Sequence, residues 1–173
     1  GIRAAYKKEM RKAYDNSILY TDNNLSEIIS KLKQTGDCTS LVYLSDHGED
    51  IFDDARARYL HASPIPTYYQ LHIPYIIWFS DVFRTEWPEK YRSALNHHSA
   101  PVSTNSVFHT VLDLGGVSTS HSDSSFALTQ PAFKVRDRMY LGDHDDPIPF
   151  WKIGLKELDF KMLDKWQLTY GER

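Results

Sequence analysis

A chain of 173 residues, 41% hydrophobic and 25% charged, is long and apolar enough for one domain with a real core. A formal net charge of -3 and no visible Lys/Arg cluster argue against nucleic acid as a partner, which would require a basic patch. No apolar run in these residues is long enough to cross a bilayer and no signal-peptide pattern is read at their start, while a lone cysteine, Cys38, excludes an intrachain disulfide and leaves the compartment open.

The chain begins Gly-Ile-Arg, and its first methionine, Met10, falls inside a helical pattern, so the sequence reads as a piece of something longer. From about residue 5 to 33, Met10, Tyr14, Ile18, Thr21, Leu25, Ile28 and Leu32 recur at steps of three and four, which predicts a helix with one mainly apolar stripe. Gly36 is placed to cap its C-terminus. Residues 39–45 read as a strand buried on both faces. Residues 49–67 read as loop, rich in acids and carrying "SPIP". A second buried strand is predicted over 72–80, and a short surface helix over 87–95 with Pro88 in its first turn. Ser103 or Thr104 can cap the helix "NSVFHTVLDL", which Gly115 and Gly116 end. A polar loop, "STSHSDSS", follows. Then "FALTQP", "VRDRMYL" and "WKIGLKELDFKMLDKWQLTY" supply expected edge strands and a last hairpin or helix. This order predicts an α/β fold with a mostly parallel sheet, whose ligands sit outside the carboxyl ends of its strands.

The stretch "LVYLSDHGED" puts chemistry at such an end. Aspartate and neutral imidazole suit zinc, and Asp46 and His47 can share one ion if the chain bends there. Gly48 is expected to allow that bend through its backbone freedom. Glu49 is placed to fix an imidazole or a bound water. The competing reading is a plain turn, since Asp and Gly are common turn residues. Elsewhere, "LGDHDDP" gathers acids and a histidine but reads as a tight turn, and His97 and His98 read as a helix end. His72 reads as a hydrogen-bonded core histidine.

In order along the chain, "YDNSILYTDNNLSEIISKLK", "LVYLSDHGED", "YLHASPIP" and "QLHIPYIIWFS" resemble the C-terminal half of the catalytic domain of bacterial phosphoethanolamine transferases. These are sulfatase-like members of the alkaline phosphatase superfamily. The resemblance covers roughly residues 14–80 and fades after them, although "NSVFHTVLDLGGV" resembles the family's following helix. It implies a three-layer α/β/α sandwich, zinc as cofactor, and Asp46 and His47 as two zinc ligands. It implies that His61 contacts the transferred phosphate or a second metal, with Ala62 standing where the family has glycine. The implied reaction moves a phospholipid head group to lipid A or another glycan acceptor through a threonine phosphoenzyme. That nucleophile and a ligating glutamate are expected upstream of this chain, as is a membrane anchor, with the catalytic domain in the periplasm. Residues 1–173 are therefore expected to form the C-terminal portion of a single catalytic domain, silent alone and weak in zinc binding. Two alternatives stay open: a sulfatase or phosphodiesterase of the same superfamily, and a non-catalytic binding module that kept the fold.

Overall fold

The computed structural model describes residues 4–61, 63–142 and 146–168. They divide into two compact units, Gly1–Ser80 and Asp81–Arg173. The expected turn at 143–145 lies outside the described residues.

The first unit opens with α1 (Ala4–Thr35), which ends where Gly36 turns to a φ of 71° that favours glycine. The predicted stripe is only half covered: Met10, Tyr14, Thr21, Leu25 and Leu32 are half-buried, whereas Ile18 and Ile28 stay exposed. Next come β1 (Ser40–Leu44), the short strands β2 (Asp50–Ile51) and β3 (Tyr59–Leu60), the one-turn helix α2 (Tyr68–Leu71) and β4 (Tyr75–Phe79). β1 pairs with β4 from Ser40↔Phe79 to Leu44↔Tyr75, and β2 with β3 at Asp50↔Leu60 and Ile51↔Tyr59.

Both pairings are antiparallel, as is the third described sheet, which corrects the expected parallel sheet for these residues. The reason lies in the connection. A parallel crossover needs a dozen or more residues, usually a helix laid across the sheet. Between β1 and β4 the chain holds a hairpin and only four helical residues, so it returns as an antiparallel neighbour. Burial on both faces is corrected too. Every residue of β1 is half-buried and Ile76 of β4 is exposed, because two strands alone cannot cover both faces.

The second unit holds α3 (Asp81–Glu86), α4 (Pro88–Asn96), α5 (Asn105–Leu114), the antiparallel pair β5 (Met139–Leu141) and β6 (Pro147–Pro149), a 3-10 turn (Phe150–Lys152) and α6 (Glu157–Lys165). Proline sits in the first turn of α4, as expected. Thr104 occupies the N-cap of α5 but its side chain makes no capping bond. "FALTQP" forms turns rather than an edge strand. The buried apolar side chains here are Phe83, Ala127, Leu128, Phe150, Leu155 and Leu163. Among the described residues no helix is long and apolar enough to cross a membrane.

Candidate functional site

β1 ends at Leu44 and the chain turns through Ser45–Gly48, with the Ser45 hydroxyl donating to the His47 carbonyl at 2.7 Å. Asp46 points into solvent, its side chain 88% exposed. Its Oδ1 accepts the His47 N–H at 3.1 Å, and that bond, aided by the nearby imidazole, holds the carboxyl below its usual value. His47 Nδ1 lies 3.0 Å from the Gly48 carbonyl. A carbonyl only accepts, so Nδ1 carries a proton, and the neutral ring then presents its lone pair at Nε2. Nε2 stands 3.7 Å from Asp46 Oδ2, so the two expected ligand atoms face a common space.

Gly48 serves this turn by size rather than by backbone freedom. It is not among the residues with positive φ. Its N–H donates to the Gln70 carbonyl at 2.9 Å, and a Cβ built on it would lie 2.0 Å from the Tyr69 carbonyl oxygen. Only a residue without a side chain lets these two segments approach so closely.

The β2–β3 register then does what sequence reading could not foresee. Asp50 opposes Leu60, so the residues one step outward, Glu49 and His61, also oppose each other. His61 Nδ1 meets Glu49 Oε1 at 2.7 Å, the His47 and His61 rings lie 3.9 Å apart, and His47 Nδ1 is 3.9 Å from the same carboxylate oxygen. His47, Glu49 and His61 each offer a ligand atom within 4.8 Å of the others. Glu49 Oε2 is buried with no hydrogen-bond partner among the described residues. A buried carboxylate oxygen left unpaired is costly. Two imidazoles and carboxylates are also a donor set that zinc accepts, so the residues present fit the ion. Asp46 stands outside this trio and reaches the site only through the space it shares with His47 Nε2.

Beneath the trio lies a polar brace with no signal in the sequence. Asp50 is 3% exposed; its carboxylate accepts the Thr67 hydroxyl at 2.8 Å and the Gln70 amide at 2.5 Å. Gln70 is also the residue whose backbone carbonyl holds Gly48, so one residue, through its side chain and its backbone, ties the hairpin and the turn to α2. From α1, Arg11 donates to the carbonyls of Ile51 and Phe52. Tyr14 faces the site as well: burial first, then the charges of Glu49 and Asp53, raise its hydroxyl pKa. His72 bonds through Nδ1 to the Tyr68 hydroxyl at 2.5 Å, but it is exposed and stands before β4 begins, which corrects the expected core histidine. His97 bonds through Nδ1 to the Leu128 carbonyl at 2.9 Å, again a structural contact.

The chain is similar in sequence and fold to known proteins. The Sulfatase family profile matches residues 3–117. The chain is 32% identical over 146 residues to phosphoethanolamine transferase EptA of Salmonella typhimurium (strain LT2), covering 79% of this chain and 25% of that protein. The chain therefore spans about a quarter of that relative's length. The C-terminal periplasmic domain of EcEptC from Escherichia coli, solved in complex with Zn, has a TM-score of 0.74 at 26% identity, covering 88% of this chain and 42% of that one. The corresponding domain of phosphoethanolamine transferase EptC from Campylobacter jejuni has a TM-score of 0.64 at 36% identity, covering 75% and 41%. Similarity at this level makes the fold α/β.

Proposed function

We propose, from the premise that the chain belongs to the sulfatase family and is homologous to the EptA and EptC phosphoethanolamine transferases, that it carries part of the active site of a zinc-dependent head-group transferase. The observation that carries this reading is the convergence of His47, Glu49 and His61 at the end of β1, with Asp46 beside them. His47 Nε2 and Asp46 Oδ2 would hold the ion, and Glu49 would keep His61 turned toward the transferred phosphate through Nδ1. Bound there, zinc would lower the pKa of an attacking hydroxyl and offset charge on the phosphoryl oxygens.

The chain's own residues do the rest. Gly48 and the Asp50 brace fix the turn, so the ligands need not be ordered when substrate arrives. The Nδ1–H bond to the Glu49 carboxylate leaves His61 Nε2 as the atom directed at substrate, and only with the ring protonated at both nitrogens would its Nε2–H donate to a phosphoryl oxygen as charge builds. The attacking group is a threonine that the resemblance assigns to none of these residues. The donor would be a phospholipid head group and the acceptor lipid A or another glycan. The sheet would complete a three-layer sandwich, with the catalytic domain in the periplasm.

The test has two parts. Zinc bound by the chain is compared with zinc bound by Asp46→Ala/His47→Ala, and equal stoichiometry would remove the metal assignment. In the whole protein, His61→Ala is expected to lower head-group transfer by about a hundredfold, the scale for losing one charge-stabilising donor. Near-normal transfer by a folded His61→Ala protein would return His61 to the surface.

A further inference from the structure

We infer that Leu60 is a positioning residue for His61, whose ring it turns onto Glu49 by holding a left-handed backbone. The inference deepens the reading that His61 faces the transferred phosphate, and rests on it. Among the described non-glycine residues φ is positive at Phe52, Ala57, Leu60 and Gln167, so three of the four lie in the β2–β3 hairpin. A left-handed backbone is disfavoured for a bulky L-residue, because Cβ crowds the following carbonyl oxygen. Such strain persists only where the surroundings over-determine it, and it gathers at functional sites.

Two of the three have reasons within the hairpin. Phe52, at a φ of 64°, is 5% exposed; its N–H donates to the Arg58 carbonyl at 2.9 Å and its ring stacks on Tyr59 at 5.3 Å. Ala57, at 49°, closes the turn with its N–H on the Asp54 carbonyl at 3.0 Å. Leu60, at 62°, has no such burial, for it is 45% exposed. Its register partner Asp50 is 3% exposed, although partners in a regular antiparallel ladder share a face. The left-handed φ separates them. The leucine goes outward while its carbonyl comes within 3.5 Å of Gln70 Nε2, the amide that also holds Asp50. The next residue is His61. The φ of Leu60 sets the direction in which the chain leaves β3. From there His61 Nδ1 reaches Glu49 Oε1 at 2.7 Å, with its ring 3.9 Å from that of His47. An extended Leu60 would redirect the His61 side chain and lose both contacts at once. The packing of the leucine does not require this backbone; the aim of His61 does.

Substitutions at position 60 separate backbone from side chain. Asparagine and glycine tolerate a left-handed backbone and discard the apolar side chain, whereas valine keeps apolar surface but, being β-branched, resists that backbone. In the zinc-free chain, carrying isotope-labelled histidine with His61 assigned through His61→Gln, the Nδ1–H tautomer seen by NMR reports the bond to Glu49. Leu60→Asn and Leu60→Gly are expected to keep that tautomer and Leu60→Val to lose it. In the whole protein, Leu60→Val is expected to lower kcat for head-group transfer about tenfold or more, as small misplacements of a reacting group do, with Leu60→Asn and Leu60→Gly far less affected. A leucine that merely packed would give the reverse order, valine mild and the other two harmful. The tautomer is read without catalysis, so a change in Leu60→Val that leaves transfer untouched supports the positioning while removing His61 from the reaction. A tautomer absent from wild type, lost in Leu60→Asn or kept in Leu60→Val overturns the proposal. If Leu60→Val fails to fold, Leu60→Asn decides it alone.

Discussion

At Gly48 a single hydrogen atom in place of a methyl group decides whether the Asp46–Glu49 turn can dock on α2. A Cβ there would sit 2.0 Å from a backbone carbonyl, and backbone cannot yield as a flexible side chain can. Gly48→Ala is expected to cost about 1–3 kcal/mol, as overpacking does, and to reduce zinc affinity beyond what that loss explains. Urea melts and a zinc titration check this; wild-type values in both would show that the turn relaxes freely. Tyr68 gives a second prediction at this scale. It is 5% exposed, and burial pushes its hydroxyl up to about 12. A tyrosine whose pKa rises from about 10 favours the fold while neutral, so its contribution is intact below pH 10 and lost as pH climbs toward 12. Tyr68→Phe should therefore flatten the fall in stability across that window, while one late-ionising tyrosinate disappears from the absorbance titration. An alkaline limb unchanged by the substitution would place the loss elsewhere. What was legible here is the residue type: Asp-His-Gly-Glu after an apolar run announces the site. Why Gly48 is needed was not legible, because the carbonyl it must avoid belongs to Tyr69, 21 positions along the chain.

The β2–β3 hairpin is the element that assembles the site, and it is the element the sequence hid. Its strands are two residues each, too short for alternation to register, and "DDARAR" between them reads as solvated loop. Its register nevertheless makes Glu49 and His61 partners. The Asp50 brace is equally silent, since its partners lie 17 and 20 positions away. Longer elements were legible to within a few residues: α1, α4 and α5 from helical period and stops, β1 and β4 from their apolar runs. Strand direction was not, because an apolar run reads the same in either orientation. Asp50→Ala would leave the Thr67 hydroxyl and the Gln70 amide buried without their acceptor. It is expected to cost about 2–4 kcal/mol and to weaken zinc binding, whereas Asp50→Asn, which keeps one acceptor, should cost less. The discriminating measurement is zinc affinity at a temperature where both variants are folded. Affinity equal to wild type in both would make the brace purely structural.

At the scale of the chain, the two units carry different kinds of stabilisation, and that difference makes metal binding visible. In the first unit the described buried apolar side chains are Phe52, Tyr68 and Phe79, against the six named for the second. The first unit leans correspondingly on polar ties, the Asp50 brace and the Arg11 contacts to Ile51 and Phe52. An ion held by residues of the β1 turn and the hairpin cross-links segments that otherwise open through those ties. A ligand that binds only the closed form stabilises it by about 2.7 kcal/mol at a hundred times its dissociation constant, which is about a hundredfold in the opening equilibrium. Zinc is therefore expected to slow hydrogen exchange about a hundredfold over residues 41–61, with 81–142 unchanged. Because the chain offers at most a few of the ligands a closed site would use, this protection should appear only at zinc levels well above those that saturate a four-ligand structural site. His47→Ala should abolish it, and Asp46→Ala should do so only if Asp46, rather than Glu49 and His61, completes the coordination with His47. Protection that spreads equally over both units, or that survives His47→Ala, would mean that the ion binds somewhere other than the end of β1.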